Sequence, residues 1–169
     1  GALDWIPNQE GLTWFIEKVW KDYLKAEPEA VFTVAGRNAP VFFEKYLLQN
    51  NIQYLGEVEN AADFIASGSI MIVPLLSGSG MRIKIIEGMA AGKTIITTSI
   101  GTEGINTENG KNIIIADTPT EFLNALQKIK SDKNLHENIS TEARKFIIEN
   151  FDNNNIAQNL AKFYQSQLK

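Results

Sequence analysis

A glycine-rich segment between a predicted strand and a predicted helix is the stretch of this chain best suited to binding a charged ligand. SGSG (77–80) follows the apolar run IMIVPLL (70–76) and precedes a helical pattern over 81–91. Two glycines let a ligand approach the backbone closely, and the first turn of a helix offers unpaired N–H groups with a partial positive charge. The segment therefore predicts a phosphate or diphosphate site.

Two charged side chains follow the glycines at helical spacing. Gly80, Lys84 and Glu87 are four and three residues apart, so they are expected on one helix face. Lys84 has the charge to neutralise a phosphate, and Glu87 can accept hydrogen bonds from a pair of sugar hydroxyls. The same spacing also suits a weak, exposed ion pair between Lys84 and Glu87. The sequence pattern leaves both interpretations open.

Two segments resemble nucleotide-binding motifs and fail on spacing. EGMAAGKT (87–94) has three residues between its glycines where a P-loop needs four, and it runs from a helix into a strand. Gly92 is better explained as the residue that ends a helix. GSGMRI (78–83) has Ile83 where a dinucleotide fingerprint needs its third glycine. Neither motif predicts a function here.

Alternating strand and helix patterns position these residues. Runs rich in β-branched residues predict strands buried on both faces, and longer amphipathic patterns lie between them. This order predicts an α/β fold with a doubly wound, parallel, Rossmann-like sheet. Arg37 ends the first run, at the sheet edge where such folds bind ligands, although a solvated loop arginine fits equally well. The predicted strands are 31–36, 52–58, 70–76, 94–99 and 112–116, and the predicted helices are 9–25, 39–50, 60–67, 81–91, 119–130 and 133–149.

Both ends of the sequence carry a further expectation. GALDWIP is too short for a full first strand and its loop, so the first strand looks truncated. Either Leu3–Ile6 supplies a stub of it or the sequence begins inside a larger protein, and we favour the second. At the other end, 152–168 predicts an amphipathic helix that packs on its own domain or on a partner domain. Its apolar face carries Ile156, Leu160, Phe163, Tyr164 and Leu168.

Composition excludes several classes of function. The 169 residues suit one domain, 1–169, and 16 basic against 20 acidic residues argue against a nucleic-acid surface. With no cysteine and one histidine, thiolate zinc sites, multi-histidine metal sites and cysteine nucleophiles are excluded. No apolar run approaches the roughly 18 residues of a spanning helix, and no signal-peptide pattern opens the sequence. We therefore expect a cytoplasmic protein.

Several of these segments together resemble a known family. LDWIPNQEGLTWFI, VFTVAGR, IQYLGEV and above all VPLLSGSGMRIKIIEGMAAGKTIITTSIGTEGI are similar to the C-terminal half of retaining glycosyltransferases of family 4, which have the GT-B fold. The similarity runs from Leu3 to Ile129. It implies that the chain is the donor-binding domain of a two-domain enzyme, with helix 152–168 made to pack on the N-terminal acceptor domain.

The resemblance also implies site residues. Glu87 matches the glutamate that contacts the nucleotide ribose, and Val58 matches the position near the nucleobase. Ser77 stands where the family often has a first glutamate, and the usual Arg and Lys pair near the domain's start has no match. Lys84 or Arg82 would compensate for that pair. The implied donor-binding residues are Gly36, Arg37, Val58, Ser77, Gly78, Ser79, Gly80, Lys84 and Glu87; no catalytic residue is assigned.

The implied activity is transfer of a sugar, with retention, from a nucleotide diphosphate sugar to a glycan or lipid-linked acceptor, as in polysaccharide biosynthesis. The resemblance implies a hexosyltransferase that needs neither cofactor nor metal, and a fragment that is inactive alone. The truncated first strand and the apolar face of 152–168 predict that the fragment self-associates. The whole enzyme is expected to bind no nucleic acid and to be membrane-peripheral. The alternatives are a GT-B sugar-nucleotide epimerase, a phosphorylase, or a non-catalytic α/β binding module.

Overall fold

The chain has the predicted α/β fold, built on short parallel strands. The computed structural model describes residues 1–167, without the side chains of 153–156 and 159. β1 pairs in parallel with β2, and β4 lies between β3 and β5, again in parallel. The strands are β1 (Thr33–Val34), β2 (Gln53–Tyr54), β3 (Ile70–Val73), β4 (Thr94–Thr97) and β5 (Ile114–Ile115).

The regular strands are shorter than the apolar runs that predicted them. The paired part of IMIVPLL ends at Val73, because Pro74 follows and has no N–H to donate to a ladder. Single backbone bonds extend the first ladder beyond β1 and β2: Gln53 donates to Phe32 and Gly36 donates to Gly56, at 3.0 and 2.8 Å. The described strands thus form two hydrogen-bonded groups, where the sequence predicted one sheet.

The first residues of the chain do pair as a strand. Ala2 forms a parallel bridge with Arg37, supported by bonds from the Leu3 nitrogen to the Arg37 oxygen at 2.8 Å and from the Arg37 nitrogen to the Gly1 oxygen at 3.2 Å. The strand-like segment is therefore 1–3, so the less favoured of the two alternatives, a stub over Leu3–Ile6, does not match its position. A helix already begins at Ile6, with Pro7 in its first turn.

The helices follow the predicted order with shifted ends. The pattern over 9–25 forms one helical segment: α1 (Ile6–Phe15) passes through a π-helical turn (Ile16–Trp20) into α2 (Lys21–Ala26). The others are α3 (Val41–Gln49), α4 (Ala61–Ser67), α5 (Ile83–Ala90), α6 (Pro119–Ser131), α7 (Lys133–Phe151) and α8 (Asn153–Gln167).

Two buried apolar clusters hold the layers together. The larger joins the α1–α2 segment, α3 and α6 to both groups of strands, with Phe15, Leu47, Ile96 and Phe122 among its fully buried members. The second cluster packs α5 and α7 against β3 and β4 and includes Ile85. Because the first cluster includes residues of β1 and β4, the two strand groups share one core.

One helix end confirms a local sequence signal, and one helix start has a reciprocal cap. Gly92 has φ +68°, its N–H bonds to the Met89 oxygen, and the Lys93 N–H bonds to the Gly88 oxygen at 3.0 Å. This Schellman motif ends α5 as predicted. At the start of α6, the Thr118 hydroxyl and the Glu121 carboxylate cap each other's backbone N–H groups.

α8 presents part of its predicted stripe to solvent. Leu160, Phe163 and Tyr164 are each more than half exposed, so these side chains do not pack in the core. The side chain of Ile156 and all of Leu168 lie outside the described residues. None of the described helices is long and apolar enough to cross a bilayer.

Candidate functional site

The glycine-rich loop is exposed and has a backbone that only glycine adopts easily. Gly78 has φ +113° and Gly80 has φ +84°, and both residues are solvent-exposed, as are Ser77 and Ser79. α5 begins at Ile83, so the expectation that its first turn starts near Met81 was wrong. Gly80 therefore lies outside the helix, and the shared helix face includes only Lys84 and Glu87.

Arg82 holds this loop from its buried side. The side chain is 6% exposed, and its Nη1 atom donates to the carbonyl oxygens of Ser79 and Gly80. A Cβ on Gly78 would lie 3.1 Å from the Arg82 Nη2 atom and 3.3 Å from the ring of Trp5, so Gly78 fits between these two side chains. Within residues 1–167 as described, Arg82 Nε and Nη2 have no hydrogen-bond partner. Arg82 thus belongs to the loop, and α5 begins at the next residue, Ile83.

Lys84 is turned toward α1. Its Nζ atom donates to Oδ1 of Asn8 at 2.7 Å, and the side chain is half-buried. Among the described side chains, no ion pair joins Lys84 to Glu87 within 4.0 Å, which excludes the simple ion-pair interpretation in this structure. Burial, followed by the charge of Arg82, lowers the pKa of Lys84 to about 8. A partly desolvated ammonium is a strong partner for an anion.

Arg37 and Lys84 both lie beside the first residues of the chain. Asn8 is buried, and its amide nitrogen donates to the Ala2 oxygen at 2.7 Å. A Cβ on Gly1 would lie 3.5 Å from Nδ2 of Asn8 and 4.0 Å from Nζ of Lys84, and the Arg37 nitrogen donates to the Gly1 oxygen at 3.2 Å. Asn8 and Lys84 therefore meet at the first residues of the chain, and Arg37 is joined to the same residues through its backbone.

Gly36 and Val58 lie at the neighbouring strand ends. A Cβ on Gly36 would lie 2.2 Å from the Gly1 oxygen, so close packing of the first residues already requires glycine there. Arg37 beside it is exposed. The bond from Gly36 to Gly56 joins the loop after β1 to the loop after β2, where Val58 is half-buried. Val58 is thus on the β2 side, while Lys84 and Glu87 are on α5.

Sequence reasoning missed Asn8 as a member of this cluster. Asn8 and Gln9 occupy two of the four buried positions of α1, the others being Gly11 and Phe15, and both residues are 9% exposed. Adjacent buried amides in an apolar helix were the available signal, because buried polar groups need partners. No cluster of three or more potential metal-ligating His, Cys, Asp or Glu side chains occurs in the described part of the chain.

Comparisons with known proteins agree with this architecture. The family model described as "Glycosyl transferases group 1" matches residues 1–132. An uncharacterized 44.6 kDa protein in the cps region of Klebsiella pneumoniae is 31% identical over 176 residues, covering 96% of this chain and 44% of that protein. The chain thus spans less than half the length of this relative.

Solved structures share the fold at low sequence identity. Anabaena Alr3699/HepE in complex with UDP matches 98% of this chain and 47% of its own, with a TM-score of 0.77 and 19% identity. The C-terminal domain of the Francisella tularensis group 1 glycosyl transferase LpcC matches 88% of this chain and 83% of its own, with a TM-score of 0.71 and 18% identity. The fold is therefore the Rossmann-like C-terminal half of a GT-B glycosyltransferase, and the chain belongs to the group 1 glycosyl transferases.

Proposed function

We propose that this chain is the donor-binding half of a retaining, family 4 hexosyltransferase. It would bind a nucleotide diphosphate sugar, and the rest of the protein would present a glycan or lipid-linked acceptor. The observation that carries the proposal is the position of Lys84, which lies in the first turn of α5, two residues after the loop-bound Arg82, with its Nζ atom bonded to Asn8. The family match supplies the reaction class.

We assign the diphosphate to the glycine-rich loop and the first turn of α5. In the described residues no side chain caps the N-terminus of α5, and the N–H groups of Ile83 and Lys84 have no partner there, so these two can meet an anion. Lys84 adds a full positive charge on the same turn. Arg82 is buried, with its Nη1 atom bonded to the loop carbonyls, whereas Lys84 is only half-buried. Of the two candidate replacements for the family's Arg and Lys pair we therefore assign Lys84 to the diphosphate.

Glu87 is assigned to the ribose hydroxyls. It is exposed on α5, one turn after Lys84 and therefore on the same face. A carboxylate that accepts from two adjacent hydroxyls fixes the nucleoside relative to the phosphates. Val58 and the segment Gly36–Arg37, at the two neighbouring strand ends, would then border the nucleobase, and Ser77 would face the donor sugar.

The chemistry expected of these groups is electrostatic. When the bond between the anomeric carbon and the diphosphate oxygen breaks, the electron pair stays on the leaving diphosphate. The helix N–H groups and the Lys84 ammonium stabilise that developing charge, which is an efficient mode of catalysis in a preorganised site. We assign no acid or base to this chain, no cofactor and no metal. The epimerase, phosphorylase and binding-module alternatives receive no support from the comparisons.

The test is donor binding followed by transfer. The whole protein should bind one of UDP, GDP and ADP in calorimetry, and UDP is tried first because a structural neighbour was solved with it. This chain alone should bind only in the high-micromolar to millimolar range, about 1 mM, because half the cleft is absent. Failure of the whole protein to bind any of the three at millimolar concentration contradicts the proposal.

A further inference from the structure

We propose that Asn8 is a positioning residue that holds Lys84 in place for the anionic part of the ligand. This inference rests on the proposed function and adds to it a residue from α1, 76 positions away in sequence. The bond between the two side chains is 2.7 Å long, within the normal range for a charged donor. We base the assignment on what each end of the Asn8 amide contacts.

The orientation of the Asn8 amide is fixed by a contact that does not involve Lys84. Its amide nitrogen donates to the Ala2 oxygen at 2.7 Å, so its oxygen must face the other way, toward Lys84. The side chain is 9% exposed and has little room to turn. The Asn8 oxygen is thus a rigid acceptor, and one of the three ammonium protons of Lys84 is held by it. Among the described residues Lys84 Nζ donates to no other acceptor, so its other two protons are available to a ligand.

The choice of an amide is chemically important. An aspartate at this position would form an ion pair with Lys84 and cancel its charge, whereas a neutral amide leaves the charge to an incoming phosphate. The other charged groups of this region are Arg82 directly before α5, Arg37 beside the first residues of the chain, and Glu87 one turn after Lys84. Two of these three are positive, which favours an anionic ligand.

Gln9 provides a matched control in the same turn. Its amide nitrogen donates to the Leu3 oxygen at 2.7 Å, and it is as buried as Asn8. Gln9 therefore anchors the first strand-like segment in the same way, but it has no bond to Lys84. Substitution of Gln9 tests the anchoring role alone, and substitution of Asn8 tests anchoring plus the contact with Lys84.

The experiment is a double-mutant cycle on the whole protein, with UDP as the probe. Asn8→Ala should weaken UDP binding about tenfold, the loss expected for one charge-assisted hydrogen bond. The effect should disappear when Lys84 is already Met, and Gln9→Ala should leave the Kd unchanged. Additive effects of Asn8→Ala and Lys84→Met, or an equal loss in Gln9→Ala, would overturn the proposal.

A ligand-free measurement separates this inference from the proposed function. The pKa of Lys84, followed by the NMR shift of its ¹³Cε, should fall in Asn8→Ala because the ammonium loses an acceptor. It should rise in Asn8→Asp because the ammonium gains an anionic partner. Opposite shifts support the positioning role even if no nucleoside diphosphate binds. An unchanged pKa in both folded variants contradicts it.

Discussion

Gly11 of α1 and Pro74, directly after β3, meet backbone to backbone. A Cβ on Gly11 would lie 2.1 Å from the Pro74 carbonyl oxygen, closer than any real side chain comes. This contact sets α1, which carries Asn8, against the segment that leads from β3 into the glycine loop. The two halves of the candidate site thus depend on one glycine that no nucleotide-binding motif contains.

We expect Gly11→Ala to destabilise the protein by about 1–3 kcal/mol, because the added methyl group must push α1 away from Pro74. Urea unfolding measures the loss. Gly68→Ala is the control, since a Cβ there would meet its nearest neighbour, the Ile70 oxygen, at an ordinary 3.9 Å. Equal stability of the two variants would show that the close contact is absent in solution.

Lys84 should give donor binding a pH dependence. Its pKa is about 8, against 10.5 for an exposed lysine, so its charge is lost as the pH rises from 7 to 9. UDP binding by the whole protein should weaken above pH 8, approaching about tenfold per pH unit. Lys84→Met should bind weakly at every pH between 7 and 9.5. If wild type and this variant share one pH profile, the ammonium does not contact the ligand.

The same group affects stability in the opposite direction. Because the folded protein releases the Lys84 proton before the unfolded chain does, the unfolded state binds more protons between pH 8 and 10.5. The contribution of Lys84 to the free energy of unfolding should therefore rise over this window. Urea unfolding at pH 8 and 10 should show a rise that is smaller in Lys84→Met. The same rise in both proteins would assign it to other groups.

Glu87 should matter for the donor and not for the fold. Glu87 is exposed, so Glu87→Gln should retain the melting temperature of wild type. In the whole enzyme the variant should lose about 1.5–3 kcal/mol of donor binding, read from kcat/KM for transfer, because an amide is a weaker acceptor for hydroxyls. The exposed Glu29 serves as control, and Glu29→Gln should retain full activity. Wild-type kcat/KM in Glu87→Gln would remove Glu87 from the site.

The exposed part of α8 should cause this chain to self-associate when it is expressed alone. Leu160 and Phe163 are 51% and 57% exposed, and exposed apolar side chains on one helix favour a partner surface. Light scattering at micromolar concentration should show a dimer. We expect its interface to bury more than roughly 1,000 Å² and to consist of α8 and the N-terminal segment.

Leu160→Asp combined with Phe163→Asp should restore the monomer, since charges on the stripe would have to be desolvated in the dimer. Leu48→Asp on α3 is the control, because Leu48 is equally exposed, at 59%, but lies on another element. A monomeric wild-type chain, or a dimer unaffected by the α8 substitutions, contradicts the prediction.

Local patterns in the sequence determined the order of elements, the helix end at Gly92, and the glycine loop. These features depend on backbone conformation and on neighbours within a few residues, so the residues involved lie close together in sequence. The family resemblance added the assignment of Glu87 and the donor-binding role. The helical pattern over 81–91 predicted the start of α5 two residues too early. The Arg82 side chain bonds to the preceding loop, and α5 begins at Ile83.

Only the tertiary structure decided how the site is assembled. The sequence left open whether Lys84 pairs with Glu87 or contacts another group. Its partner in the structure is Asn8, which lies on a different helix 76 residues earlier. Gly36 and Gly11 are required by close approaches of distant backbone, which no local pattern reveals. The lowered pKa of Lys84 has the same origin, because burial and the neighbouring Arg82 charge arise only when α1 packs against the head of α5.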